Sequence, residues 1–159
     1  MRELAFEGAE DARPHNDLLA ALRDKRLRAV IFCPSNPFIS IEPILAMTGM
    51  RQALSACAAP VVAVSPIIGG RAVKGPTAKM MGELGIKPSA AAVAKRYGDL
   101  LDGYVMDIGD AKEVANVASR VTLAPMLMTN LAEREELGRV VLEAASALAS
   151  TKRDRDFIA

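Results

Sequence analysis

Pro60-Val61-Val62-Ala63-Val64-Ser65-Pro66-Ile67-Ile68-Gly69-Gly70-Arg71-Ala72-Val73-Lys74-Gly75-Pro76 joins an apolar run the length of one buried strand to a break of Ser, Pro and Gly, and then to a helical pattern. The same succession occurs once earlier. Ala29-Val30-Ile31-Phe32-Cys33 reads as a strand, Pro34-Ser35-Asn36-Pro37 breaks it, and Ile44, Leu45, Met47, Met50, Ala53 and Leu54 recur at helical spacing over 42–57. In parallel α/β proteins such strand-to-helix breaks lie on the edge of the sheet where ligands bind.

Working outward, Glu3 to Phe6 reads as a short strand, and Pro14 suits the first turn of a helix running through Leu22. After the second quoted stretch a helix opens near Pro76 and closes at Gly85, and Ser89 is placed to cap a helix from Ala90 to Leu101. Gly103 to Met106 forms a third strand of the apolar series, ending at Asp107; Asp110 can cap a helix over 111–119. Val121-Thr122-Leu123 gives a fourth, and a last helix spans about 130–149 before the charged run Lys152 to Asp156, read as a solvated tail. This alternation predicts an α/β fold: a mostly parallel, Rossmann-like sheet with helices on both faces, in one domain over 1–151 followed by a tail over 152–159.

Composition narrows the function. A chain of 159 residues, 51% apolar, can close a single core, while a net charge of +1 and an aromatic content of 4% argue against nonspecific nucleic-acid binding. No apolar run reaches the roughly 20 residues of a membrane span, and no signal region opens the chain, so a cytoplasmic location is expected. Cys33 and Cys57 lie in apolar surroundings without CxxC partners and read as buried thiols. Met47, Met50, Met80, Met81, Met126 and Met128 read as core filler, and His15, the single histidine, as an exposed structural residue.

The two breaks carry the candidate chemistry. Ser35 and Asn36 offer a hydroxyl and an amide between two prolines, and Ser40 can either cap the next helix or donate to a phosphate. In the second break Gly69, Gly70 and Gly75 remove side chains where a ligand can approach, and Arg71, Lys74 and Lys79 bring three cations close together. That arrangement suits a phosphate or diphosphate, or else is a glycine-rich connection with solvated basic residues; it matches neither the Walker pattern nor GxGxxG. Asp107 and Asp110 can hold a Mg²⁺ at the sheet edge, or cap a helix.

At these loops the sequence resembles the 2-phospholactate transferase family, which makes the precursor of the deazaflavin coenzyme F-420. Pro34-Ser35-Asn36-Pro37, Ser40-Ile41 and Pro43-Ile44-Leu45 carry the likeness, then Val64 to Gly70, Lys74-Gly75-Pro76 and Ala78-Lys79-Met80-Met81. Weaker matches follow at Val93-Ala94, Tyr97, 103–107, Asp110-Ala111 and Leu127-Met128. The resemblance implies transfer of a 2-phospholactyl or phosphoenolpyruvyl group from a guanosine-diphosphate-linked donor to deazariboflavin, releasing GMP, with Mg²⁺ as cofactor. By motif position it implies donor and phosphate contacts from Ser35, Asn36 and Ser40. It implies nucleotide contacts from Ser65, Pro66, Gly69, Gly70, Lys74 and Gly75; no catalytic residue is assigned. The match begins at about Leu4, partway into the family pattern. The chain is therefore expected to correspond to the C-terminal half of such an enzyme, without the glycine-rich N-terminal segment and the acidic residues associated with metal and deazaflavin. A homodimer, or a complex with a separate N-terminal half, is expected in consequence. The rival expectation is a noncatalytic nucleotide-binding or regulatory module of the same superfamily.

Overall fold

The structure, a computed structural model, describes residues 4–73 and 75–156, the last seven of these by backbone alone. Four parallel strands form the main sheet: β1 (Val30–Phe32), β2 (Val61–Val64), β5 (Gly103–Asp107) and β6 (Arg120–Ala124), in the spatial order β1-β2-β5-β6. Between β2 and β5 lies a small antiparallel hairpin of β3 (Ile67–Ile68) and β4 (Arg71–Ala72). Register pairs Val30 with Val61, Val62 with Gly103 and Gly103 with Arg120, so all four C-terminal ends fall on one edge. The α/β reading with a mostly parallel sheet holds.

Helices α1 (Asn16–Arg23), α2 (Glu42–Ala46), α3 (Met50–Ser55), α4 (Thr77–Glu83) and α5 (Ala90–Tyr97) belong to one layer, and α6 (Leu131–Asp156) to the other. Strand alternation explains this division. Val61, Ala63, Tyr104 and Met106 point into the larger core with Phe38, Leu54, Met81 and Tyr97, whereas Val62, Val64 and Val105 meet Leu137, Val141 and Ala145 of α6. A strand buried on both faces must be apolar at every position, which is why β2 reads Val-Val-Ala-Val. In β5, the Tyr104 hydroxyl donates to the Ala90 carbonyl at 2.9 Å, satisfying its one polar atom; burial raises its pKa.

Several local expectations are corrected. Leu4–Phe6 form no strand; Glu3 lies outside the described residues. The single helix expected over 42–57 is two pieces, α2 and α3, and a π-helical turn (Pro37–Ile41) precedes them. Gly49, at φ 85°, makes the break, and the Thr48 hydroxyl fastens it by donating to the Glu10 carbonyl at 2.7 Å. α5 ends at Tyr97 with a 3₁₀ turn beyond it. Ser89 does cap it, accepting from the Ala92 amide, while Glu113 accepts from the Ala91 amide. The segment Ile108–Asn116 is 3₁₀ rather than α, and its cap is Asp107, not Asp110. α6 continues through the charged run to Asp156 instead of ending near Ala149. Cys57 is buried but Cys33 is exposed, because it stands at the open tip of β1; Met128 is also exposed, in the connection after β6. No helix among the described residues is long and apolar enough to cross a membrane.

Candidate functional site

The site begins at the end of β1. Asn36 turns the chain by capping the π-helical turn: its side-chain oxygen accepts from the Phe38 amide at 2.8 Å and the Ile39 amide at 3.2 Å. Pro37 supplies a fixed φ at the first position. Phe38 is then driven into the core, where the Arg96 guanidinium stacks 4.5 Å from its ring centre. Glu42 ties down the next turn by pairing with Arg51 at 3.0 Å and Arg96 at 3.2 Å. The Pro-Ser-Asn-Pro loop is thus rigid. Ser40 does not cap the helix after it: α2 has Ile41 at its N-cap with no side-chain cap, and Ser40 is exposed on the turn.

At the end of β2, Ser65 is buried, and its hydroxyl closes a tight turn by accepting from the Ile67 amide (3.1 Å) and donating to the Ile67 carbonyl (3.0 Å). The chain then enters the β3–β4 hairpin. Gly69 and Gly70 are its two turn residues, at φ 56° and 73°, the pair of left-handed positions that a two-residue type I′ hairpin demands. The Gly69 amide donates to both carboxylate oxygens of Asp110 at 3.0 Å, fixing the hairpin to the sheet edge. The Asp110 carboxyl is held above the usual range, chiefly by burial; the Gly69 bond opposes this, while the charges of Glu113 and Asp107 add to it. Asp107 is likewise committed, one oxygen accepting from the Gly109 amide (2.8 Å) and the other from the Met126 amide (3.0 Å).

These loops meet over the strand tips around a cavity of about 360 Å³, lined by Pro34 and Asn36, by Ser65, Pro66 and Ile68, and by Thr77, with Met126, Met128 and Arg134 on the α6 side. Asn36, Ser65 and Pro66 are therefore brought together, as the reading of the two breaks expected of neighbouring strand ends. Ser35, Ser40, Gly69, Gly70 and Gly75 do not line the cavity, and Lys74 lies outside the described residues. Neither Arg71 nor Lys79 lines it; Lys79 stands 3.9 Å from Glu83, one helical turn away. The hairpin went unread although Ile67-Ile68-Gly69-Gly70-Arg71-Ala72 has a recognised hairpin signal, two glycines between short β-compatible pairs. Arg134 and Thr77 had no such signal, since each reaches the cavity only through the packing of its helix.

The residues present do not fit a Mg²⁺ site by themselves. Asp107 and Asp110 both spend their oxygens on backbone amides, and the described residues contain no group of three or more His, Cys, Asp or Glu able to hold a metal ion.

A parallel sheet with a polar-walled cavity at the carboxyl ends of its first two strands, between a Pro-Ser-Asn-Pro loop and a glycine hairpin, defines an α/β protein of Rossmann-like architecture with a cavity on the edge where such folds bind ligands. The chain belongs to the 2-phospho-L-lactate transferase CofD family, whose model matches residues 1–146. Among its relatives, the phosphoenolpyruvate transferase of Kitasatospora aureofaciens is 41% identical over 144 residues, covering 87% of this chain and 44% of the relative. The protein of that name from Streptomyces coelicolor is 39% identical over 142 residues, with the same coverage. That from Mycobacterium tuberculosis is 35% identical over 150 residues, covering 91% of this chain and 44% of its own. The chain thus spans less than half the length of the curated relatives it matches.

Proposed function

We propose that this chain supplies the nucleotide-binding part of a transferase that moves a phosphoenolpyruvyl group, or its 2-phospholactyl counterpart, from a guanosine-diphosphate-linked donor to a deazariboflavin in coenzyme F-420 biosynthesis. The observation that carries the reading is the cavity itself: the Pro34–Asn36 and Ser65–Pro66 segments, which bear the strongest family likeness, are the segments that wall it. Family membership supports the reaction class, and the names of the three relatives favour the enolpyruvyl donor.

In this reaction the acceptor hydroxyl oxygen forms a bond to the distal phosphorus, the bridging P–O bond breaks, GMP departs, and the hydroxyl proton is released. Such chemistry rests mostly on alignment and on charge neutralisation. The rigid loop at Asn36 retains an amide N–H for a donor oxygen, since only its carbonyl side is consumed by capping and its nitrogen otherwise faces the Met80 sulfur at 3.4 Å. The hairpin, clamped by Asp110, sets the opposite wall without loop ordering on binding. Mg²⁺ is assigned to carboxylates outside this chain's described residues.

A second copy or a separately supplied N-terminal half completes the assembly in this reading. Support comes from β1, whose outer edge has no strand partner among the described residues, and from Leu127, Leu131 and Leu142, which are 56%, 67% and 62% exposed. A monodisperse monomer in light scattering at low micromolar concentration counts against it.

Thermal unfolding with nucleotide tests the assignment. GDP at millimolar concentration should raise the melting temperature and guanosine should do so much less. No shift with GDP removes the nucleotide site. Donor, deazariboflavin and Mg²⁺ then test turnover, with product mass separating the enolpyruvyl from the lactyl group. GDP binding without product, even with the N-terminal half of a relative added, would favour the noncatalytic module.

A further inference from the structure

Thr77 and Arg134 reach the strand-tip cavity from opposite layers of the fold, one at the start of α4 and the other in the first turn of α6. Thr77 is 1% exposed and lines the cavity, and its hydroxyl makes no hydrogen bond with another described residue. A hydroxyl on a cavity wall without a protein partner bonds water or an incoming ligand. Lining a cavity, this one takes its partner from whatever enters.

Arg134 is the one charged side chain lining that cavity among the described residues, and it forms no ion pair with any of them. The acids beside it are engaged elsewhere. Glu133 accepts from the Thr129 amide and hydroxyl at 2.5 and 2.9 Å, and Glu136 pairs with Arg139. An exposed arginine whose neighbouring carboxylates already have other partners keeps its five donors for an incoming anion.

We infer that Thr77 and Arg134 together form the phosphoryl-binding pair of this cavity, the hydroxyl donating from the floor and the guanidinium from the rim to the oxygens of a diphosphate. The pair deepens the nucleotide reading proposed above and rests on it for the identity of the ligand as a nucleoside diphosphate. The anion chemistry itself follows from the two side chains. Nearby Asn36 offers an amide N–H, whereas the one O–H of Ser65 is spent on the Ile67 carbonyl, so the pair carries most of the charge recognition.

The test is isothermal titration of the full chain with GDP, with inorganic pyrophosphate and with guanosine. Arg134→Gln should weaken GDP and pyrophosphate by about tenfold or more, the scale of a lost charge-assisted hydrogen bond, while leaving guanosine unchanged. Arg134→Lys should recover part of the loss. Thr77→Val, which keeps shape and folding while removing the donor, should weaken both anions severalfold, and Thr77→Ser should restore them. Arg139→Gln removes an equal charge away from the cavity and should leave all three titrations unaltered. Unchanged GDP affinity in both Arg134→Gln and Thr77→Val overturns the pair and leaves the nucleotide reading standing. Pyrophosphate binding that depends on both residues, with no added affinity for GDP, supports the pair and overturns the nucleotide. No binding of either anion overturns both.

Discussion

Replacing Asp107 with Ala removes the acceptor that holds the far wall of the cavity to the end of β5. Both oxygens of this buried carboxylate are used, one by the Gly109 amide at 2.8 Å and one by the Met126 amide at 3.0 Å. Hydrogen bonds to a charged group are worth about 1.5–3 kcal/mol each, so additivity would put the loss near 4 kcal/mol. Water reaching the exposed 108–109 turn recovers part of the first bond, while the buried Met126 amide recovers little, which sets the expected loss at about 3 kcal/mol. With a urea m-value of about 2 kcal/mol/M, the unfolding midpoint should fall by about 1.5 M. Asp107→Asn should lie between the variant and the parent, because its carbonyl oxygen serves one amide and its NH₂ confronts the other. Far-UV circular dichroism in urea reads all three. An Ala variant within about 0.5 kcal/mol of the parent refutes the reasoning, since surface substitutions of no structural consequence fall in that range. So does an Asn variant no better than Ala.

Asp110→Asn addresses the hairpin clamp through pH. Since folding raises the Asp110 pKa, its native-state contribution is most favourable when protonated and is lost as pH rises through the folded value. The variant should therefore gain stability relative to the parent between pH 4 and pH 7 in urea titrations, and a constant difference would contradict the sign. Asn36→Ala should cost about 1 kcal/mol of stability through the lost cap and also weaken GDP. Asn36→Asp should retain the cap yet still weaken GDP, a split readable by pairing thermal unfolding with titration. In the β3–β4 turn, Gly69→Asn should be neutral or stabilising by a few tenths of a kcal/mol, since Asn-Gly is the preferred type I′ pair. A Cβ at Gly69 meets nothing within 4 Å, whereas Gly70→Val should destabilise by about 1 kcal/mol or more at its φ of 73°.

The four strands of the main sheet and the edge that carries their C-terminal ends were legible because each depends on a local pattern. Val61 to Val64 admits only a strand buried on both faces, and the polar residues after it must stand at a strand tip. What escaped reading depends on competition between near neighbours. Asn36 caps a turn that starts at Pro37, immediately after it, and because that turn runs straight into α2 no place is left for Ser40 as a cap. Asp107 and Asp110 are three residues apart, and Asp107 took the cap because Asp110 was drawn across to Gly69. Helical periodicity continued smoothly from Ile44 to Leu54, and only Gly49 and the Thr48–Glu10 bond, a contact between positions 38 residues apart, reveal the break. Arg134 was out of reach for a similar reason: nothing in the local sequence of α6 says that its first turn overlies the loops of β1 and β2.

Binding and turnover separate naturally in such an arrangement. Much of the cavity wall comes from segments whose geometry this chain fixes by itself, through the Asn36 cap, the Ser65 turn, the Asp110 clamp and the Asp107 bond to Met126. None of those supports depends on a bound ligand, so the cavity should be formed before the nucleotide arrives and lose little entropy on binding. Metal neutralisation and acceptor alignment are different in kind, because Asp107 and Asp110 already hold backbone amides and the described residues contain no group of three or more metal-ligating side chains. In the proposed division of labour Asp107 and Asp110 hold the walls of the cavity through their backbone amides, and the acids that would hold a metal are carboxylates outside the described residues.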